Sequence, residues 1–278
     1  MNAIIPSTRL FAFLISLALI SLSLACSRDA IPEPAPEPQS STRKLQKITA
    51  GERNVESYTY DQQGRLASLH SVWRYADSTQ ASATLDAVIT YDTQQRISQI
   101  LYNGSLTVKF FYEGKLFDRT EEYDHKNRLV ITHFYLFNTD NQLVELLDQY
   151  YDTTGGGTEL YVKHRYEYDG QKNVQRVITL RRRVGDTTFT PWQTTTYEQY
   201  DQQKNPNNTL AHYPFVEQVC TQVNNPGKII TRNDTDQSIN SVETLTYAYD
   251  PQGYPIRKTS QRTTSQSLPA TDMFYQYE

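Results

Sequence analysis

The chain has 278 residues, 37% hydrophobic and 21% charged, with a formal net charge of −4 and only two cysteines. Its length is enough for one good core, because all-β folds of this size often form a single domain. The mild acidity and the lack of a basic stripe exclude nucleic acid as a partner, and two cysteines exclude a disulfide framework.

The first segment, residues 1–25, reads as a lipoprotein signal peptide. A short polar stretch with Arg9 precedes the apolar run Leu10 to Ala25, which ends Leu22-Ser23-Leu24-Ala25-Cys26. The run is shorter than the roughly 20 residues a membrane span needs, and it ends in small residues at a cysteine. Cys26 is therefore the expected lipidation site, which leaves Cys220 without a partner. Loss of Arg9 with the signal takes the net charge from −4 to −5. Residues 26–44 follow as a tether, with Pro32, Pro34, Pro36 and Pro38 favouring an extended spacer that cannot pack.

From residue 45 to 278 a phrase recurs, clearest as Tyr58-Thr59-Tyr60-Asp61-Gln62-Gln63-Gly64-Arg65-Leu66. Aligned on Asp61, Asp92, Asp124, Asn138, Asp169, Asp201 and Asp250, an aromatic residue always precedes the turn. Two residues earlier the position is mostly apolar, the period that puts both side chains on one face of a strand. Three residues after the Asp stand Gly64, Gln95, Asn127, Asn141, Lys172, Lys204 and Gly253, in part the residue types that tolerate a left-handed backbone. An apolar residue usually returns at the fifth position. Each copy thus predicts a hairpin, with Asp or Asn bonding its own turn. Asn103-Gly104 and Glu113-Gly114 predict two tighter hairpins between copies. The spacing is uneven, so the array is a β-meander and not a solenoid of fixed period. The expectation is all-β: a long antiparallel meander of a dozen or more strands, curled or partly closed into a barrel-like sheet.

One insertion breaks the strand pattern. Between Lys204 and Asn240, the residues Val216, Val219, Cys220 and Val223 recur at helical spacing behind Pro214 and ahead of Asn224-Asn225-Pro226. This predicts one short helix over about 213 to 223.

The phrase resembles the YD (RHS-type) repeat. The mature chain is similar to the YD-repeat-like lipoproteins of Bacteroidetes-type bacteria, a family of unknown function. The resemblance rests on Cys26, the repeated phrases, Tyr200-Asp201 with Asn205-Pro206, Asn224-Asn225-Pro226, Tyr247 to Pro255 and the closing Phe274-Tyr275-Gln276-Tyr277. It implies a secreted, lipid-anchored β protein and supplies no catalytic residues. Copies with Gln95 or Lys172 for Gly, and with Gln142, Asn173 or Tyr254 for Arg, read as degenerate hairpins. Asp77-Ser78-Thr79, Asp152-Thr153-Thr154 and Asp186-Thr187-Thr188 are similar to O-glycan acceptor triplets of that bacterial group.

Little in the residues points to chemistry. The repeated aspartates occupy turn positions without the spacing of a calcium loop. The five histidines, at 70, 125, 133, 164 and 212, show no local metal-ligand spacing, so no metal and no cofactor is expected. Gly155-Gly156-Gly157 lacks the lysine and helix of a phosphate loop. Arg181-Arg182-Arg183 reads as a solvated strand end. Trp73, Tyr75, Trp192 and Tyr197 are the candidate ligand-binding aromatics, suited to a glycan or protein partner. Three functional classes follow. The leading one is a lipid-anchored, non-enzymatic binding or scaffold module of the cell envelope, on the periplasmic or surface side of the outer membrane. The alternatives are an envelope hydrolase with a site assembled across strands, and an integral outer-membrane β-barrel.

Overall fold

A computed structural model describes residues 43–51, 54–73, 83–152, 157–205 and 223–278. They form sixteen strands: β1 (Leu45–Ala50), β2 (Asn54–Tyr60), β3 (Leu66–Trp73), β4 (Ala83–Tyr91), β5 (Ile97–Tyr102), β6 (Leu106–Glu113), β7 (Leu116–Tyr123), β8 (Leu129–Phe137), β9 (Leu143–Tyr151), β10 (Thr158–Tyr168), β11 (Val174–Arg183), β12 (Thr190–Glu198), β13 (Lys228–Asn233), β14 (Ile239–Tyr249), β15 (Pro255–Thr263) and β16 (Thr271–Tyr277). Every strand pairs antiparallel with its successor, and β16 pairs with β1 through Ile48↔Tyr275 and its neighbours. The sheet therefore closes completely. A curled sheet with two free edges would expose unpaired N–H and C=O groups, and closure removes them.

The phrase makes the hairpins by one repeated device. In the first copy the Asp61 carboxylate accepts from the N–H groups of Gln63 and Arg65, both at 2.9 Å, while Asp61 N–H donates to the Arg65 carbonyl. The third residue after the Asp adopts positive φ in six copies: Gly64, Gln95, Asn127, Asn141, Lys172 and Gly253. The copies with Gln95 and Lys172 are thus full hairpins and not degenerate ones, because the aspartate's bonds fix the loop whatever residue carries the strained φ. A bulge beside the turn shifts the register at Tyr60, Tyr91, Phe137, Tyr168 and Tyr249. Such a bulge keeps the aromatic and the returning apolar residue on the same face.

The remaining copy, sixth in chain order, is split. Asp201 N–H donates to the Asn225 carbonyl as Asp61 does to Arg65, and Asn225 N–H returns to the Asp201 carboxylate at 3.1 Å. One hairpin turn is thus built from two described segments, 201–205 and 223–225. The helix expected over 213–223 lies outside the described residues apart from exposed Val223, and no helix occurs among the described ones.

One face of each strand is buried. Its residues form two clusters, one from β1 to β6 with β16, centred on Leu45, Tyr58, Leu69, Ile100 and Phe110, the other from β9 to β12, centred on Leu146, Tyr166, Val174 and Tyr197. The opposite, outer face carries Thr, Ser, Lys, Arg, Glu and Asp, with ion pairs Lys163–Glu145 at 2.7 Å, Arg176–Glu167 at 2.6 Å and Arg257–Asp272 at 2.7 Å. The inner face thus holds two apolar clusters with charged side chains beside them, and the outer face is mostly polar, with Val88, Phe134, Leu136 and Phe274 exposed on it.

Candidate functional site

The two ends of the barrel differ because the phrases are not shared between them. Counting strands from β1, the turns at Asp61, Asp92, Asn138, Asp169, Asp201 and Asp250 all fall at one end, with Lys44 and Glu278, while the Asp124 turn lies at the other. At the phrase end the terminal tyrosine of one strand bonds the first carbonyl of the strand before it. Tyr60 donates to Leu45 at 2.7 Å, Tyr91 to Leu66 at 2.8 Å, Tyr112 to Ile97 at 2.8 Å, Tyr168 to Leu143 at 2.8 Å, Tyr200 to Val174 at 2.5 Å and Tyr277 to Pro255 at 3.0 Å. Burial pushes the Tyr60 and Tyr112 hydroxyls up to about 12, so they remain donors at any ordinary pH. The phrase arginine caps this ring. Arg65 pairs with Asp61 and lies 4.1 Å over Tyr91, and Arg96 pairs with Asp92 and lies 4.1 Å over Tyr112. The ring of tyrosines with Leu, Ile and Val between them forms an apolar floor. At the far end, inward-facing Trp73 and Leu85 are each 37% exposed against 0% for Leu45. Inward Ala50 and Tyr102 at the same end are buried.

Above the floor the inner wall of β7 to β11 carries a polar chain. His133 Nε2 lies 3.1 Å from Glu122, its Nδ1 2.6 Å from Asp148, and the other Asp148 oxygen 3.4 Å from His164 Nε2. His164 Nδ1 then meets the Thr179 hydroxyl at 3.1 Å. Each residue comes from the next strand at matching register, through Glu122↔Ile131, His133↔Asp148, Val162↔Asp148 and His164↔Thr179. Burial alone would lower the His133 pKa, but hydrogen bonds to Asp148 and Glu122 outweigh it and push it up to about 9. Burial would raise Asp148, yet its bonds to His133 and His164 hold it below the usual carboxylate range. The group is an internally paired ion cluster.

Thr179, His164 and Asp148 have the connectivity of a nucleophile, base and orienting acid. The β10–β11 ladder occupies the backbone around Thr179, however, so no pair of N–H groups is free there to hold an oxyanion. No cluster with metal-binding geometry occurs among the described residues.

The expected aromatic surface is dispersed. Trp73 ends β3 at the end opposite the phrases; Trp192 is the third residue of β12, nine strands on by chain order, with the Arg181 guanidinium against its indole. Tyr197 is 3% exposed inside the second core cluster, so burial removes it from any ligand surface. Tyr75 and Cys26 lie outside the described residues. Of the arginine run, Arg181 shares the inner face with Val162, while Arg182 pairs with Tyr161 on the outer face and lies 4.3 Å over its ring. Of the three glycan triplets only Asp186-Thr187-Thr188 is described in full, in an exposed hairpin loop. The Glu122, His133, Asp148, His164 and Thr179 chain was not foreseen. Its only trace in the sequence is a spacing of 11, 15, 16 and 15 residues between successive partners, visible once hairpin registers are known.

No family model matches the chain, and no curated protein does. Solved structures do. A porin-like protein from Bacteroides uniformis ATCC 8492 matches at 13% identity with a TM-score of 0.54, over 84% of this chain and 96% of that one. A porin-like protein from Bacteroides vulgatus ATCC 8482 matches at 14% identity with a TM-score of 0.56, over 84% and 99%. The likeness is one of fold: this chain is a closed sixteen-strand antiparallel barrel similar to those porin-like proteins.

Proposed function

We propose that the chain is a water-walled barrel of the cell envelope, held to the outer membrane by lipid on Cys26 and serving as a binding or scaffold module with no catalytic role. The observation that carries this reading is the polarity of the wall. Charged pairs such as Lys163–Glu145 and Arg257–Asp272 lie on outward faces within the strands, where an Arg or Lys facing the bilayer centre would cost about 2 to 4 kcal/mol. Strands β1, β5 and β13 have 6 residues, short of the roughly 9 to 11 a tilted membrane strand needs. The resemblance to YD-repeat lipoproteins belongs with this reading.

A second reading, an integral outer-membrane barrel, draws support from full closure and from the likeness to porin-like proteins. Fractionation of cells expressing the full chain with Cys26→Ala separates the two. Release of the protein by salt and carbonate washes supports the tethered barrel, and retention in the outer membrane supports the integral one.

A further inference from the structure

The ladder between β1 and β2 is shorter than either strand. Its register runs from Ala50↔Asn54 to Lys47↔Ser57, although β1 begins at Leu45 and β2 continues to Tyr60. On its other side β1 bulges against β16 between Leu45 and Lys47. The two strands therefore part at the phrase end, where the Tyr60 hydroxyl reaches across to the Leu45 carbonyl at 2.7 Å. A groove of about 500 Å³ occupies the parting, lined by Tyr58, Thr59 and Tyr60 of β2, by Gln46 and Lys47 of β1 and by Gln276 of β16. Its volume falls in the range of small-molecule sites, about 300 to 1,000 Å³. Arg43 is held to Asp250 at 2.6 Å, on the side of β1 away from β2, and so does not fill it.

The lining is polar, and its charges do not cancel. Asp61 is committed to its own turn and to Arg65 at 2.6 Å. Glu278 accepts from Gln46 at 3.2 Å and pairs with Lys44 at 3.5 Å, and Lys44 lies 5.1 Å over the Tyr60 ring. Lys47 and Gln276 stand opposite each other in register, and neither side chain has an ion pair or a hydrogen bond among the described residues. The groove thus offers one uncompensated ammonium beside an amide that both donates and accepts. No aliphatic side chain lines it, so an apolar ligand would bury little hydrocarbon against it. A ligand with many hydroxyls is matched by Gln46, Gln276 and Glu278, and a carboxylate by Lys47.

We propose that this groove is a binding site for an acidic oligosaccharide, with a sugar carboxylate on Lys47 and ring hydroxyls on Gln46, Gln276 and Glu278. The inference rests on reading the chain as a binding module, and it uses neither the interior of the barrel nor the lipid anchor.

The test uses the full chain carrying Cys26→Ala, with trigalacturonic acid as the probe and uncharged maltotriose beside it. Isothermal titration calorimetry should show saturable binding of the acid at one site, with maltotriose weaker by about tenfold or more. Lys47→Gln should weaken the acid about tenfold, the loss of one charge-assisted contact, and leave maltotriose unchanged. Gln276→Trp, at an exposed position, fills the groove and should abolish binding of the acid. Absence of saturable binding, equal affinity for the two sugars, or unchanged acid affinity in either variant overturns the proposal. If one variant does not fold, the other decides. None of these outcomes alters the fractionation result, which tests the tethered barrel separately.

Discussion

Replacing His133 by Gln removes the cation that holds two inward carboxylates together. Its side chain is 14% exposed and that of Asp148 2%, so solvent screens the cluster little. A folded-state pKa of about 9 against the ordinary 6.5 corresponds to about 3 kcal/mol of preferential stabilisation of the imidazolium, an upper figure for a coupled cluster. Because the pKa is raised on folding, this contribution is complete below pH 6.5 and disappears as pH rises through about 9. Urea denaturation of the parent, followed by tyrosine and tryptophan fluorescence, should show stability falling by about 3 kcal/mol between pH 6.5 and 9.5. The His133→Gln protein should start lower, since Asp148 and Glu122 lose their shared partner, and should lack that slope. Parallel pH profiles for parent and variant would refute the argument, because the slope would then belong to other groups.

Other consequences of the structure are open to direct measurement. Tyr91→Phe deletes the hydroxyl that donates to Leu66 at 2.8 Å and should cost about 1 kcal/mol in equilibrium unfolding. Lys172 holds φ 68° at an exposed turn, so Lys172→Gly should raise stability by about 0.5 to 1 kcal/mol as the left-handed strain is relieved; a loss on calorimetry would contradict the turn assignment. Excising 204–224 and inserting one Gly rebuilds Asp201-Gln202-Gln203-Gly-Asn225, the arrangement of the first copy. Combined with Asn173→Arg, which replaces the lost Asn224 partner, the product should keep the parent far-ultraviolet spectrum and a single cooperative transition.

The hairpins were legible because the phrase is local. Asp61 and its equivalents act within four residues, and the inward period of two needs only neighbours on one strand. Gln95 and Lys172 misled because residue type was taken as the cause of the turn, whereas the preceding Asp's bonds to the loop impose the left-handed residue. Tyr197 misled because nothing local separates an inward tyrosine from an outward one beside Trp192.

By itself the sequence determined an all-β meander, the positions of its turns and the lack of local catalytic or metal motifs. The tertiary structure alone decided closure, which needs β1 to meet β16 more than two hundred residues away. It alone joined Glu122, His133, Asp148, His164 and Thr179, one from each of five strands, since the register that aligns them is fixed by the summed lengths of hairpins and bulges. It also sorted inside from outside, burying the tyrosines in the lumen and leaving the charged pairs on the wall. The polarity of the outer face becomes visible only when the face of every strand is assigned.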